Sequence, residues 1–335
     1  MSRGVSLYQL YGLSLKSLLP LQAPKKFSGE AVVADGGEVP IDPIELIRGT
    51  RRFFSEIRRN LNSAKNSFRF HYHSLPDSAD YARYFDLAEF WIAPDGKEII
   101  YQNPRNGNHD SHQMKNGCSD SFLNYLQVNA LSFVLIKRGI EPLHATALAR
   151  EGKAFGLLGD PGYGKSTLAA SFLASGFLLL TDDLLVLRKK GLSFYASPGV
   201  PQIKLFPKIA KRFLGNLVDG PPMNPESKKL IIPLNGNHTE RQSVPLKALY
   251  VIHRPKQIKK QNKVEIQKIH GRQASLEILN ASYNSAVQNP ERLHRQLLFA
   301  TELAKTVPLR FLSYPRDLRQ LPEVRNAILE DLNHL

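Results

Sequence analysis

Gly159-Asp160-Pro161-Gly162-Tyr163-Gly164-Lys165-Ser166-Thr167 satisfies the pattern Gly-x-x-x-x-Gly-Lys-[Ser/Thr]. A loop that wraps phosphate oxygens must bring its backbone close, so Gly159, Gly162 and Gly164 remove side chains and permit unusual backbone angles. Successive N–H groups then face inward as an anion-binding nest. Lys165 brings a cation to the β- and γ-phosphates, and Ser166 offers a hydroxyl ligand to Mg²⁺. Asp160, Pro161, Tyr163 and Thr167 complete the loop, and the following helix adds the positive end of its dipole. The flanks agree: 154–158 reads as an apolar strand, and 165 to about 175 as a helix stopped by Gly176. A glycine-rich turn that only caps a helix leaves Lys165 and Ser166 together unexplained. The stretch therefore predicts binding of ATP or a similar nucleotide with Mg²⁺.

The texture around the loop alternates strand and helix. Residues 143–149 and 154–158 read as two strands about a turn at Glu151-Gly152-Lys153. Residues 177–180, 184–188 and 193–196 read as further strands, and 290–305 and 323–332 as helices. Such alternation indicates an α/β domain. Thr181-Asp182-Asp183 follows the strand at 177–180, and in α/β sheets ligands gather at the carboxyl ends of strands. One carboxylate can bind Mg²⁺, directly or through water, while the other can accept a proton from an attacking hydroxyl. Two turn-capping aspartates are the structural alternative, and a separation of one helix from the loop favours function. His144, in Pro142-Leu143-His144-Ala145-Thr146, opens a strand; an isolated His in an apolar strand is more often structural, so spacing alone leaves its role open.

The amino-terminal part has another character. Short apolar runs such as Glu30-Ala31-Val32-Val33 and Phe68-Arg69-Phe70-His71-Tyr72-His73 alternate with turn signals, and 89–93 with 98–101 around Pro94-Asp95-Gly96 reads as a hairpin. The polar segment 103–117 reads as a linker, and 121–137 as a helix capped by Ser119-Asp120-Ser121 and ended by Gly139. The expected division is a β-rich α+β domain at 1–117, suited to substrate docking, followed by a nucleotide-binding domain at 118–335.

Composition narrows the class. The 335 residues suit two domains, and a single cysteine, Cys118, excludes a disulfide framework within the chain and argues against a Cys-based zinc site. His71 and His73 share a strand face and His109 and His112 a polar loop, but neither pair is joined by a third ligand. No run is long and apolar enough to span a bilayer, and no signal peptide is legible, so a cytoplasmic protein is expected. The net charge of +15 favours anionic partners. Its runs, Arg188-Lys189-Lys190, Lys228-Lys229 and Lys259-Lys260, are short and read as solvated faces. No nucleic-acid-binding module is recognisable, so nucleic acid is not an expected partner.

Leu143-His144-Ala145-Thr146-Ala147, the loop at 159–167 and Thr181-Asp182-Asp183 together resemble the catalytic domain of HPr kinase/phosphorylase. That family has a His on the strand before the loop, a Gly-x-x-Gly-x-Gly-Lys-Ser loop, and an Asp-Asp pair one helix later. The resemblance implies a P-loop nucleotide-binding domain of phosphoenolpyruvate-carboxykinase/HPr-kinase type, entered through an antiparallel hairpin. It implies ATP, Mg²⁺ and a serine hydroxyl as acceptor. It further implies Asp182 as general base, Asp183 as its support or as a metal ligand with Ser166, His144 hydrogen-bonded to the pair, and Lys165 as the catalytic cation. Family members form oligomers, so a homo-oligomer is implied too.

The departures are informative. The family's Glu-Ile-Arg-Gly-Leu-Gly signature is replaced by Pro198-Gly199-Val200-Pro201-Gln202-Ile203-Lys204-Leu205-Phe206-Pro207, and its Pro-Val-Arg-Pro-Gly-Arg-Asn segment has no counterpart near 249–263. Lys204 or a nearby arginine stands as a candidate contact to phosphate or substrate. With Tyr11-Gly12-Leu13 and the tail Pro308-Leu309-Arg310-Phe311-Leu312-Ser313-Tyr314-Pro315-Arg316-Asp317, the chain is more similar to a divergent HPr-kinase-related branch. That branch includes lasso-peptide kinases, which phosphorylate the C-terminal serine of a precursor peptide. The expected activity is an ATP- and Mg²⁺-dependent serine kinase acting on a peptide or small protein. The alternatives are a P-loop NTPase coupling hydrolysis to binding or transport, a kinase for an HPr-like protein, and a nucleotide-stabilised binding protein.

Overall fold

The computed structural model describes residues 5–26, 42–61, 69–103, 119–215, 220–253 and 263–335. The expected apolar run at 30–33, most of the polar segment 103–117 with His109 and His112, and Lys259-Lys260 lie outside the described residues. The chain is mixed α/β and forms two compact units, Met1–Ile140 and Glu141–Leu335.

The first unit is built on one eight-stranded sheet. Ser6–Leu10 and Leu13–Ser17 form a hairpin whose two turn residues, Tyr11 and Gly12, both have positive φ, as a tight turn between twisted strands requires. The expected hairpin is Ala88–Ile92 paired with Glu98–Gln102. A continuous helical run from Asp120 to Lys137, π-helical over Tyr125–Ala130, covers the sheet. Phe122 meets Phe90 and Tyr101, Tyr125 stacks on Tyr84 at 4.8 Å, and Phe133 stacks on Tyr72 at 5.3 Å. A division at 117/118 would part this helix from the sheet it buries. The compact unit ends instead at Ile140, because the helix's apolar stripe is spent on that sheet.

The second unit carries the glycine loop. Its strands are β1 (Leu143–His144), β2 (Thr146–Arg150), β3 (Lys153–Leu158), β4 (Leu178–Thr181), β5 (Leu184–Leu185), β6 (Leu187–Lys190), β7 (Ser193–Ala196), β8 (Gln202–Leu205), β9 (Leu230–Pro233), β10 (Val244–Ile252), β11 (Glu265–Ile269) and β12 (Leu309–Ser313). Its helices are α1 (Lys165–Leu173), α2 (Pro207–Leu214), α3 (Gly271–Asn280), α4 (Pro290–Thr306) and α5 (Leu321–Asn333). The central sheet runs β4-β2-β3-β10-β7-β6, with β12 also on β10 and β11 on β12. β2 and β3 form an antiparallel hairpin about Glu151 and Gly152, both with positive φ, whereas β3, β10 and β12 are parallel neighbours.

Strand alternation splits the apolar side chains between two cores. Ala154, Leu158, Leu249 and Val251 face α3 and α4 through Ala274, Ile278, Ala300 and Leu303. Phe155, Leu157, Ala248 and Tyr250 face α1, α2 and α5 through Leu168, Phe172, Ala210, Val324 and Ile328. With helices on both faces, β3 and β10 are buried on both sides and read as apolar runs rather than alternating ones. Each fully buried Phe or Leu contributes about 2–3 kcal/mol of transfer free energy. The edge-to-face set Phe155, Phe172 and Phe177 fixes α1 against β3, and so fixes the loop between them. Among the described residues no helix is long and apolar enough to cross a membrane.

Candidate active site

The loop leaves the carboxyl end of β3 and enters α1 through Gly164, which caps the helix at φ 102° and ψ 12°. That left-handed conformation is the reason a glycine stands immediately before Lys165. Asp160, Pro161 and Gly162 are exposed, whereas the Tyr163 ring packs against the α1 core. Lys165 is buried, and its ammonium donates to the loop's own Gly159 carbonyl at 2.5 Å and more weakly to that of Asp160 at 3.4 Å. Burial lowers its proton affinity, against the pull of Asp183 and Asp182.

β-Pairing brings the acidic residues to this loop. β4 ends at Thr181, opposite Ala147 of β2, and β5 pairs with β1 so that Leu184 faces His144. Asp182 and Asp183 occupy the step between β4 and β5. Asp183 has a φ of 72°, an uncommon conformation that Asp tolerates better than most residues. Thr146 Oγ1 donates to Asp182 Oδ1 at 2.7 Å, Ser166 Oγ to the same oxygen at 3.2 Å, and the Lys204 N–H to Asp182 Oδ2 at 3.0 Å. Asp183 instead takes the Lys204 ammonium.

The two carboxylates differ in environment. Asp182 is 5 % exposed; burial and the Asp183 charge raise its proton affinity. The Asp183 side chain is 23 % exposed; burial alone would raise its proton affinity, but Lys204, His144 and Lys229 outweigh burial and hold it well below the ordinary carboxylate range. Burial lowers the proton affinity of His144, whose ring is hydrogen-bonded to the backbone of Asp183. The His144 ring also lies 5.9 Å from that of Tyr283, and the backbone N–H of His144 donates to the Ala281 carbonyl at 2.6 Å.

All the expected residues of the loop, the acidic pair and His144 therefore gather at one end of the central sheet. One pairing differs from expectation: the Ser166 hydroxyl lies against Asp182, not Asp183. The Asp183 carboxylate is instead taken by the Lys204 ammonium. Lys204 is likewise paired with a carboxylate rather than left open for phosphate. Thr146 and Lys204 as partners of Asp182 went unread in the sequence. A lysine inside the buried strand Gln202–Leu205 was the available signal, since a buried ammonium demands an anion. Among the described residues no group of three His, Cys, Asp or Glu side chains could hold a metal.

No protein-family model matches the chain, and neither does any curated protein. Among solved structures, the HPr(Ser) kinase/phosphatase from Coxiella burnetii matches at 13% sequence identity, over 56% of this chain and 97% of that one, with a TM-score of 0.31. The chain is similar to that protein at a level that leaves its chemistry to be argued from the loop and the acidic pair.

Proposed function

We propose that the chain is an ATP-dependent kinase that transfers the γ-phosphoryl group to a serine hydroxyl of a peptide or small protein. The observation that supports this reading is the contact between the loop's Ser166 and Asp182, with a second, more open carboxylate at Asp183 beside it. Ser166 Oγ and the Asp182 oxygens, 3.2 and 3.5 Å apart, are hard oxygen donors and suit Mg²⁺, which takes one or two protein ligands and completes its shell from phosphates and water. Bound there, Mg·ATP supplies the phosphoryl group and a cation to share its charge.

The loop amides and the α1 N-terminus would hold phosphate oxygens. Lys165 would exchange the carbonyls of Gly159 and Asp160 for phosphate, adding positive charge where negative charge develops. Asp183 would orient the seryl hydroxyl and accept its proton as the serine oxygen bonds to phosphorus and the β,γ-bridging oxygen departs. Its low proton affinity is no obstacle, because in a loose phosphoryl-transfer transition state positioning matters more than basicity. His144, neutral at pH 7, would hold the Asp183 backbone. A second reading makes Asp182 the base; its raised proton affinity favours that role.

The finer assignments, a lasso-type precursor peptide or an HPr-like protein as acceptor, a cytoplasmic location and a homo-oligomer, follow from the family resemblance alone. Lys165→Ala tests the core of the proposal. The folded variant should lose ATP affinity and all transfer of labelled γ-phosphate, and transfer at the wild-type rate would refute the reading. Release of phosphate at the full rate without any acceptor would favour the NTPase.

A further inference from the structure

The turn of the β2–β3 hairpin borders a cavity of about 480 Å³. The cavity lies at the start of β3 and the glycine loop at its end, roughly 16 Å apart at about 3.3 Å per residue. Phe155 and Phe177 form its apolar wall together with Leu329 and Leu332, which are partly buried on the last turns of α5. Arg150, Lys153 and Lys247 supply its cations. An apolar wall with a few charged groups, in a volume of roughly 300–1,000 Å³, is the usual make-up of a small-molecule site.

A bulge aims one of the lysines. The pairing of β3 with β10 runs from Ala154 and Leu246 directly to Phe155 and Ala248, so β10 carries one extra residue here, Lys247. Leu246 packs into the core under α3 and α4, and Ala248 into the core under α1 and α5. Regular alternation would return Ala248 to the side of Leu246; the bulge instead leaves Lys247 and Ala248 on the α5 side together. Lys153 reaches that side because it alternates in step with Phe155. Arg150 spends its guanidinium on the Phe177 ring, 5.2 Å from its centre, and on Glu151 at 3.2 Å. Among the described residues, Lys153 and Lys247 have no carboxylate partner, and neither donates to a carbonyl of α5. Cations gain from the carboxyl end of a helix, but that does not account for an open cavity walled by phenylalanine and leucine.

We propose that this cavity binds a small anionic amphiphile, with one carboxylate or phosphate head against Lys153 and Lys247 and an apolar chain or ring along Phe155, Phe177 and the end of α5. Charge complementarity selects the head, and the apolar wall selects the body. The inference stands apart from the kinase reading, since no residue of the glycine loop or the acidic pair takes part.

The test is calorimetric titration of the full chain with decanoate, decyl phosphate and the neutral decanamide, all kept below the concentration at which they form micelles. Mg²⁺ and a non-hydrolysable ATP analogue are present throughout, so that a phosphate head does not report the glycine loop. At least one of the two anions should bind saturably, once per chain, and about fivefold more tightly than decanamide, a span set by a partly exposed ion pair. The anion that binds the more tightly identifies the head. In the double variant Lys153→Gln, Lys247→Gln the preference for the anion should vanish while decanamide binds as before. Leu332→Trp, which fills the cavity, should weaken all three ligands tenfold or more. If that variant does not fold, the double lysine variant, changed outside the apolar core, decides alone. Binding seen only with micelles, a preference for the anion that survives loss of both lysines, or unchanged binding in a folded Leu332→Trp protein overturns the proposal.

Discussion

Lys204 holds both members of the acidic pair at once: its backbone N–H lies 3.0 Å from Asp182 Oδ2, while its ammonium is on Asp183. A side chain that binds one carboxylate and a backbone that binds its neighbour make the pair a single electrostatic unit. Lys204→Met should keep the first contact and remove the second. Asp183 is held below its unfolded value of about 3.8, so its pairing contributes stability above that pH, lost as pH falls through the folded value. Without Lys204, burial would push the Asp183 carboxyl upward, so it would take up a proton in mildly acidic solution. The variant should therefore lose about 3 kcal/mol at pH 7, the low end for a broken buried pair because Asp183 is partly open. It should lose clearly less at pH 5. Urea unfolding at the two pH values decides, and an equal penalty at both would remove Asp183 from the explanation.

Asp182 and Asp183 should fail in different ways. Asp182 accepts from Thr146, Ser166 and the Lys204 N–H, so Asp182→Asn sets an amide donor among three donors. Mg²⁺-dependent ATP affinity should fall by tenfold or more, to the level seen in EDTA. Asp183→Asn leaves those contacts intact and should keep ATP affinity, with turnover reduced at least about a hundredfold for a lost proton acceptor. Titration with ATP with and without Mg²⁺, beside steady-state rates, separates the cases. If Asp183→Asn abolishes the Mg²⁺ dependence and Asp182→Asn spares it, the two roles are exchanged.

The difference between these carboxylates was out of reach of the sequence, although their presence was not. The glycine loop, its strand and its helix are legible because every requirement is local: Gly164 must be left-handed, and Lys165 must open the helix. The turn at Glu151 and Gly152 is legible for the same reason. What Asp182 touches depends on pairing between distant segments. Thr146 reaches it because β2 pairs with β4, His144 faces Leu184 because β1 pairs with β5, and Lys204 arrives on a separate hairpin. The parallel pairing of β10 with β12 likewise joins segments that no local pattern connects. The amphipathy of 120–137 says that the helix is buried but not against which sheet, and so the boundary was expected too early.

Arg292 is predicted to hold the far wall of the site. It is fully buried, pairs with the equally buried Glu141, and donates to the carbonyls of Tyr283, Asn284 and Val287 at 2.6–2.7 Å. The same segment accepts the His144 N–H at Ala281 and carries the ring of Tyr283. Arg292→Met should cost about 3–5 kcal/mol, because among the described residues it leaves Glu141 paired with the more exposed Arg295 alone. At about 2–4 °C per kcal/mol for a unit of this size, the Tm should drop by roughly 10 °C. Adding Glu141→Gln should recover part of the loss, since the stranded charge goes with it. A Tm unchanged within error in the single variant would show that the loop is held by other means.

Gly159 and Gly162 both sit at positive φ, 136° and 85°, yet alanine should not be equally costly at the two. A Cβ at Gly162 would meet nothing within 4 Å, so Gly162→Ala pays only the backbone strain, about 1 kcal/mol. A Cβ at Gly159 would lie 3.2 Å from the Ile252 carbonyl oxygen and 3.5 Å from the Ile252 Cβ, and neither atom can swing aside as a flexible side-chain end could. Gly159→Ala must therefore bend the loop away from the end of β10, and it should cost about 2–3 kcal/mol. The bend would also move the Gly159 carbonyl that holds the Lys165 ammonium at 2.5 Å. ATP affinity should consequently fall further in Gly159→Ala than in Gly162→Ala. Urea unfolding and nucleotide titration of the two variants give the comparison. A Gly162→Ala protein that is the less stable of the two would mean that backbone strain, and not the approach to Ile252, dictates the glycine at 159.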